Sequence, residues 1–193
     1  PDFSRAVARD LPMPRILTQV TAFTPVADLE VRLRSLRQAG TERVVFVGVP
    51  RELGNRPIVG PMPGEAVDLF RELVPSRGVI LIPTRPDEEE RFSQKLEAGA
   101  TFALTQLLFS DHVLHFLHGL SRYAYRPEII LSFGYVPRVE LDVGLLRWLI
   151  RDAAPIAQRE MEFVAEVAAL PFREKKVRLV ELYVRILDGA SRL

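Results

Sequence analysis

EAGATFALTQLLFSD, residues 97–111, joins the end of a helical segment, a glycine turn and a strand-like apolar run. Helix, turn, then strand is half of a βα repeat, so this stretch sets how the rest of the chain is read. Its strand carries a glutamine, Gln106, where the run is expected to stop. A buried amide without a partner costs about 1–3 kcal/mol. Gln106 therefore implies either a bonding partner in the protein or a ligand at the strand end.

The apolar run of this stretch, TFALTQ (101–106), has four counterparts: RILTQVTAF (15–23), RVVFVGV (43–49), GVILIP (78–83) and EIILSF (128–133). They recur at the spacing of βα units and read as parallel strands. Segments of helical period lie between them. In TPVADLEVRLRSLRQAG, Thr24 suits a cap, Pro25 the first helical position, Leu29, Leu33 and Leu36 one stripe, and Gly40 the exit. PGEAVDLFRELV and SDHVLHFLHGLSRYAY follow the same logic. PDEEERFSQKLEAGA places Asp87 to Glu90 in a first turn, as a solvated helix start, with Gly99 at its exit. The loop RELGNRPIVGPMPGE (51–65) is too rich in Gly and Pro for regular structure. After Pro137 the pattern predicts helices in LDVGLLRWLIRDA, PIAQREMEFVAEVAAL and REKKVRLVELYVRILDGA; the last has Val177, Val180, Val184 and Leu187 on one stripe and Gly189 as terminator. Alternating strands and helices imply an α/β fold with a parallel sheet, either an incomplete (β/α)8 barrel or an open doubly wound sheet.

The chain of 193 residues, 48% hydrophobic and 26% charged, is expected to form a single domain over residues 1–193. Its 26 basic and 25 acidic side chains leave a formal charge of +1, which disfavours nucleic acid and anionic membranes as partners. There is no cysteine, so disulfides, thiolate metal sites and a thiol nucleophile are excluded. No apolar run reaches the roughly 18 residues of a membrane span, and PDFSRAVARD is no secretory signal, so a cytoplasmic location is expected. The opening Pro1 reads as a processed or incompletely represented N-terminus. The sequence sets no oligomeric state.

In either architecture a ligand sits at the carboxyl ends of the strands. Standing there are Gln19 and Thr21, then Gly48, Val49 and Pro50, then Pro83, Thr84 and Arg85, then Thr105 and Gln106, then Ser132, Phe133, Gly134 and Tyr135. This set has no carboxylate pair, no histidine and no nucleophile triad. Its Gln and Thr side chains suit the amide edges of a heterocycle. The triplet His112, His115 and His118 is read as surface or core histidines on a helix away from the strand mouth, because no carboxylate completes a metal set. Nucleotide fingerprints are absent. Trp148, Phe163 and Tyr183 are read as packing.

Taken in order, the strand ends resemble the methylenetetrahydrofolate reductase family. AGATFALTQLLFSD is similar to the family's D-A-G-A-x-x-x-I-T-Q-x-x-F-D segment, LTQVTAF to its H-L-T-C strand, RQAGTERVVFVGVP to its G-I-x-x-I-x-A-L-R-G-D segment, and EIILSFGYVP to its P-I-I-P-G-I-x-P strand. The likeness covers roughly residues 15–137, with a weaker helical match onward. It implies a (β/α)8 TIM barrel, of which this chain holds about five central strands.

The resemblance also implies roles. Gln106 matches the glutamine that contacts the pterin ring of the folate, its amide reserved for the ligand; Thr105, Gln19 and Tyr135 would line the same pocket. Lys95 matches a lysine that reaches the flavin phosphate region, and Thr21 the threonine of the H-L-T-C strand. Against this, Gln19 and Ala22 replace that strand's histidine and cysteine, Gly48, Val49 and Pro50 replace Arg-Gly-Asp, and the Y-P-E-x-H-P-E stretch is shortened to IPTRPDEEE. The first-strand glutamate that acts as general acid has no counterpart here, so no catalytic residue is assigned. The implied activity is reduction of 5,10-methylenetetrahydrofolate to 5-methyltetrahydrofolate by NADH or NADPH, without tightly bound FAD. The alternative is a non-catalytic folate-binding or subunit-forming barrel that has lost the redox site. An unrelated α/β barrel enzyme, with Gln106 bonded to a neighbouring strand, is the third reading.

Overall fold

A computed structural model describes residues 15–49, 56–120, 127–136 and 155–193. The helix expected over residues 141–153, with Trp148, lies outside them, as do Pro50 and the opening fourteen residues. Among the described residues are strands β1 (Ile16–Val20), β2 (Arg43–Val47), β3 (Ser76–Leu81), β4 (Phe102–Leu108) and β5 (Glu128–Phe133). The helices are α1 (Val26–Gln38), α2 (Pro63–Leu69), α3 (Glu88–Glu97), α4 (His112–Gly119), α5 (Pro155–Ala169) and α6 (Phe172–Ala190). All five expected strands form. None of these helices is long and apolar enough to cross a membrane.

The strands make one sheet in the order β1-β2-β3-β4-β5, with β1 parallel to β2 and β2 parallel to β3. Every strand thus lies beside its neighbour in sequence. A doubly wound sheet needs a reversal of strand order and a barrel does not, so the order selects the (β/α)8 type. By density of contacts the chain divides into two compact units: Pro1–Ile80, Arg91–Leu104 and Pro127–Ile129 in the first, Leu81–Glu90, Thr105–Arg126 and Ile130–Leu193 in the second.

In the first unit α1 buries Leu29, Leu33 and Leu36 as its spacing predicts. Pro25, however, takes the cap position, and no side chain caps the helix, so Thr24 does not have the role expected of it. Gly40 at φ +78° and Gly99 at φ +101° close α1 and α3 in the left-handed region that favours glycine. One face of the sheet is set by a close approach: a Cβ on Gly78 would stand 2.3 Å from the ring of Phe102. The Arg43 guanidinium lies 4.4 Å from the centre of the same ring and pairs with Glu128 at 2.7 Å, tying β2 to β4 and β5. On the opposite face Phe46 packs against Phe70, just past the end of α2, at 6.0 Å between ring centres.

The second unit has a core of Phe109, Val136, Ala157, Val164, Val167 and Leu179. A neighbouring cluster joins Leu108 and Val113 to Leu182 and Ile186. Here two expectations fail. The buried residues of α6 are Lys175, Leu179, Leu182 and Ile186, while Val177, Val180, Val184 and Leu187 are exposed. Gly189 does not terminate α6, which runs to Ala190. Its Cβ would meet Leu114 of α4 at 2.4 Å, so glycine is there for close helix packing.

Gly78→Ala is expected to lower stability by about 1–3 kcal/mol, because the added methyl must displace a packed ring. Gly64→Ala in α2, with nothing within 4 Å of the added Cβ, is expected to be neutral or stabilising by about 0.5 kcal/mol. Urea melts of both variants check the contrast.

Candidate active site

At the exit of β1, in the first unit, Gln19 is only 4% exposed. Its register partner is Phe46, so by the pleat it lies on the face that packs against Phe70. Its Nε2 donates to the Val20 carbonyl at 2.6 Å, and its Oε1 is buried with no hydrogen-bond partner among the described residues. Thr21 is fully buried and its hydroxyl donates to the Pro61 carbonyl at 2.6 Å. The same loop is fastened by the Val59 and Gly60 N–H groups on the Ala22 carbonyl, each at 3.0 Å. Gly60 has no alternative there, since a Cβ would come within 2.2 Å of the Thr21 and Thr24 carbonyls. Lys95, on α3, donates from Nζ to the Ile80 carbonyl at the end of β3, at 2.9 Å.

The second unit holds the other strand-end residues. β4 does not stop at Gln106 but continues to Leu108. Gln106 is half-buried and has an interaction within the protein. Thr105 is buried, and its hydroxyl oxygen accepts the Ser132 N–H of β5 at 2.8 Å. Tyr135 is half exposed, just after β5. The exit of β5 is pinned by Tyr183, whose hydroxyl donates to the Gly134 carbonyl and whose ring packs 4.6 Å from that of Phe133. Burial pushes the Tyr183 phenol up to about 12, against the opposing pull of that carbonyl contact. Tyr183 is thus a packing residue, as expected, with a polar tie added.

A cavity of about 310 Å³ opens in this unit between the β3 exit and the start of α4, among Pro83, Arg85, Glu88, Glu89, His112 and His115. Glu88 is buried, accepting the Ile82 N–H at 3.2 Å with Arg85 at 3.6 Å. The chain enters α3 through Asp87 at φ +61°, so Asp87 precedes the helix and is not in its first turn. The His112 ring bonds the Pro83 backbone and stacks on His115 at 5.8 Å. Burial first, and the neighbouring His115 second, hold the His112 pKa below the ordinary value. His112 and His115 therefore border a strand end and are not remote from it. The signal was in the sequence: the first turn of a helix that follows a parallel strand starts at the strand's carboxyl end. Among the described residues no three His, Asp or Glu side chains are placed to hold a metal ion.

The model of the mycobacterial methylenetetrahydrofolate reductase family matches residues 2–193. The chain belongs to that family. No curated protein matches it. Among solved structures it is similar to phosphonopyruvate hydrolase, at 15% identity and a TM-score of 0.48, over 98% of this chain and 75% of that one. So distant a likeness says nothing of the chemistry here.

Family membership makes flavin the cofactor to test against the site. The Thr21 hydroxyl proton is committed to Pro61, the Lys95 ammonium is anchored on Ile80, and Gly48 and Val49 offer no charged side chain where the family has Arg-Gly-Asp. The Thr21 and Lys95 side chains are thus each held by a backbone carbonyl of the chain.

The family's acid is also without a counterpart at these strand ends, but α5 supplies one buried carboxyl that the sequence reading did not single out. Glu160 is 3% exposed; the Ser110 hydroxyl donates to its Oε1 at 2.6 Å, and the Phe109 N–H also bonds it, just beyond β4. Desolvation raises its pKa above the ordinary 4.5 and outweighs both hydrogen bonds, which favour the charged form. Between 4.5 and the raised value the folded chain holds a proton that the unfolded chain releases. This contribution to stability is therefore complete below pH 4.5 and lost as pH rises through the folded value. Glu160→Gln should remove that fall, so that melting temperature changes less with rising pH in the variant than in the parent protein. A series of thermal melts from acid to neutral pH checks it.

Proposed function

We propose that the protein reduces 5,10-methylenetetrahydrofolate to 5-methyltetrahydrofolate, with NADH or NADPH as hydride donor and without a tightly bound FAD, in the cytoplasm. The family match over residues 2–193 carries this reading. The commitment of Thr21 and Lys95 to backbone carbonyls and the uncharged Gly48 and Val49 favour direct transfer from the nicotinamide. In the reaction a hydride reaches the methylene carbon, the bond from that carbon to N10 breaks, and N10 takes up a proton. The nicotinamide is left oxidised. Gln106 orients the pterin through its carboxamide, which meets the donor and acceptor edge of the ring. Such a contact selects for a ligand with both functions. Thr105 and Tyr135 complete the lining. Of these Tyr135, half exposed, needs no rearrangement to meet a ligand.

The second reading, a folate-binding protein without redox activity, is favoured by one observation. Gln106, Thr105 and Tyr135 contribute an amide, a hydroxyl and a phenol, while the buried carboxyl of Glu160 is tied to Ser110 and Phe109. The two readings separate in one assay on the full-length protein. Oxidation of NADH or NADPH that depends on methylenetetrahydrofolate, with 5-methyltetrahydrofolate as product and a rate indifferent to added FAD, is the expected result. Binding of 5-methyltetrahydrofolate without turnover points to the second reading, and a rate that requires FAD overturns the flavin-free part. Gln106→Ala is expected to weaken folate affinity about tenfold, the worth of one to two hydrogen bonds, with little change in the Michaelis constant for the nicotinamide. Unaltered folate affinity in that variant removes Gln106 from the site.

A further inference from the structure

The connection from β4 to α4 is fastened from a distance. Asp111 stands at the cap position of α4, yet its side chain makes no capping bond. The first N–H of the helix, that of His112, turns instead to the Ser110 hydroxyl oxygen at 3.4 Å. Ser110 in turn donates to Oε1 of Glu160 at 2.6 Å, fifty positions away on α5, and the Phe109 N–H bonds the same carboxyl. One buried carboxyl thus holds a backbone amide just past β4, a hydroxyl and, through that hydroxyl, the start of α4. Beyond it the His112 ring bonds the Pro83 backbone, so the contacts run from α5 to the exit of β3.

Stability alone does not call for this arrangement. Glu160 lies on the buried face of α5 with Ala157 and Val164, where an apolar residue would avoid desolvating a carboxyl, and a bonded Asp or Ser cap would serve α4 locally. Neither substitute would fix the strand exit against α5. The pinned Phe109 N–H lies three residues beyond Gln106, about 10 Å along an extended strand. On the other side, the Thr105 hydroxyl is already pinned to β5 by the Ser132 N–H. We propose that Glu160 is a positioning residue, which through Ser110 and Phe109 holds the exit of β4 and the first turn of α4 in the geometry that receives a ligand. The identity of that ligand rests on the folate reading above, since Thr105 and Gln106 are what this exit carries.

Two readouts separate positioning from plain stability. Without ligand, the His112 imidazole reports the turn in an NMR titration. Burial is the first cause holding its pKa below 6.5, so loosening the start of α4 raises it toward that value. Ser110→Ala leaves Glu160 and the other charged or titratable groups around that ring in place: His115, Asp111 with Arg185 at 3.6 Å, and Arg85, Asp87, Glu88 and Glu89 on the β3 side. With ligand, equilibrium binding of methylenetetrahydrofolate to the full-length protein is measured well below the melting temperature. Ser110→Ala and Glu160→Gln are each expected to raise the His112 pKa and to weaken folate affinity about fivefold, with little change in the Michaelis constant for the nicotinamide. The double variant should be no weaker than the weaker of the two, because both changes act through one bond, and Ser110→Thr, which keeps the hydroxyl, should behave as the parent. Ser110→Ala decides the matter if Glu160→Gln does not fold. A lowered melting temperature with the His112 titration and folate affinity unchanged overturns the proposal, as do losses that add in the double variant. If the parent protein binds no folate, it is the reading of the ligand that fails, and the His112 titration still decides the role of Glu160.

Discussion

The ring of Phe102 occupies the space a side chain at position 78 would need, and the first unit is arranged around that fact. Because Gly78 yields its place, β4 brings an aromatic ring flat against the face of β3, and Arg43 from β2 covers the ring at 4.4 Å. The guanidinium then reaches Glu128 at the start of β5. One aromatic ring therefore lets a single cation serve three strands, and the cation keeps its partner on a surface where it is only partly desolvated. The ion pair is exposed enough that its own worth is small. What it contributes is alignment, because the guanidinium is held by the ring below and the carboxylate beside it in one geometry. That alignment joins the amino ends of β2, β4 and β5.

The five strands were legible because a parallel sheet covered on both faces needs near-continuous apolar runs, and RVVFV, GVIL and FALTQLL are such runs. The glycine exits at Gly40 and Gly99 were legible for a different reason: a left-handed residue after a helix has few occupants. Barrel against open sheet was not legible in the strand pattern, since both are alternations of strand and helix, and it was the family resemblance that implied the barrel with which the order of strands agrees. The packed face of α6 was ambiguous in a more instructive way. Two apolar stripes, one through Val177 and Val184 and one through Leu179 and Ile186, both satisfy the helical period. The choice is made by Gly189, whose missing side chain lets Leu114 approach on the second stripe's side, and periodicity carries no information about that contact.

The buried amide was legible as a cost but not as an address. The reasoning that a glutamine ending an apolar run needs a partner or a ligand was attached to Gln106, which has a partner within the protein. It applies to Gln19, whose Oε1 is the buried orphan. Both glutamines interrupt apolar runs, and nothing local to either run distinguishes them. What does distinguish them is the surroundings. Gln19 shares a face with Phe46 and is closed over, beside a loop that Gly60 brings within bonding distance of the β1 exit. An amide on that face loses water and finds one acceptor, the Val20 carbonyl, for its NH₂ and, among the described residues, no partner for its oxygen.

The same accounting bears on how a member of this family would divide its chemistry. A carboxylic acid that donates a proton at neutral pH must have its ionisation suppressed and must also reach the substrate. Glu160 meets the first condition through burial, but its oxygens serve the Ser110 hydroxyl and the Phe109 amide, and it is closed to solvent. Those two bonds hold the turn between β4 and α4, downstream of Thr105 and Gln106 on the same strand. Releasing the carboxyl for proton transfer would leave two donors of that turn without an acceptor, at a cost of about 1–3 kcal/mol each. The structural duty of Glu160 therefore opposes a catalytic one.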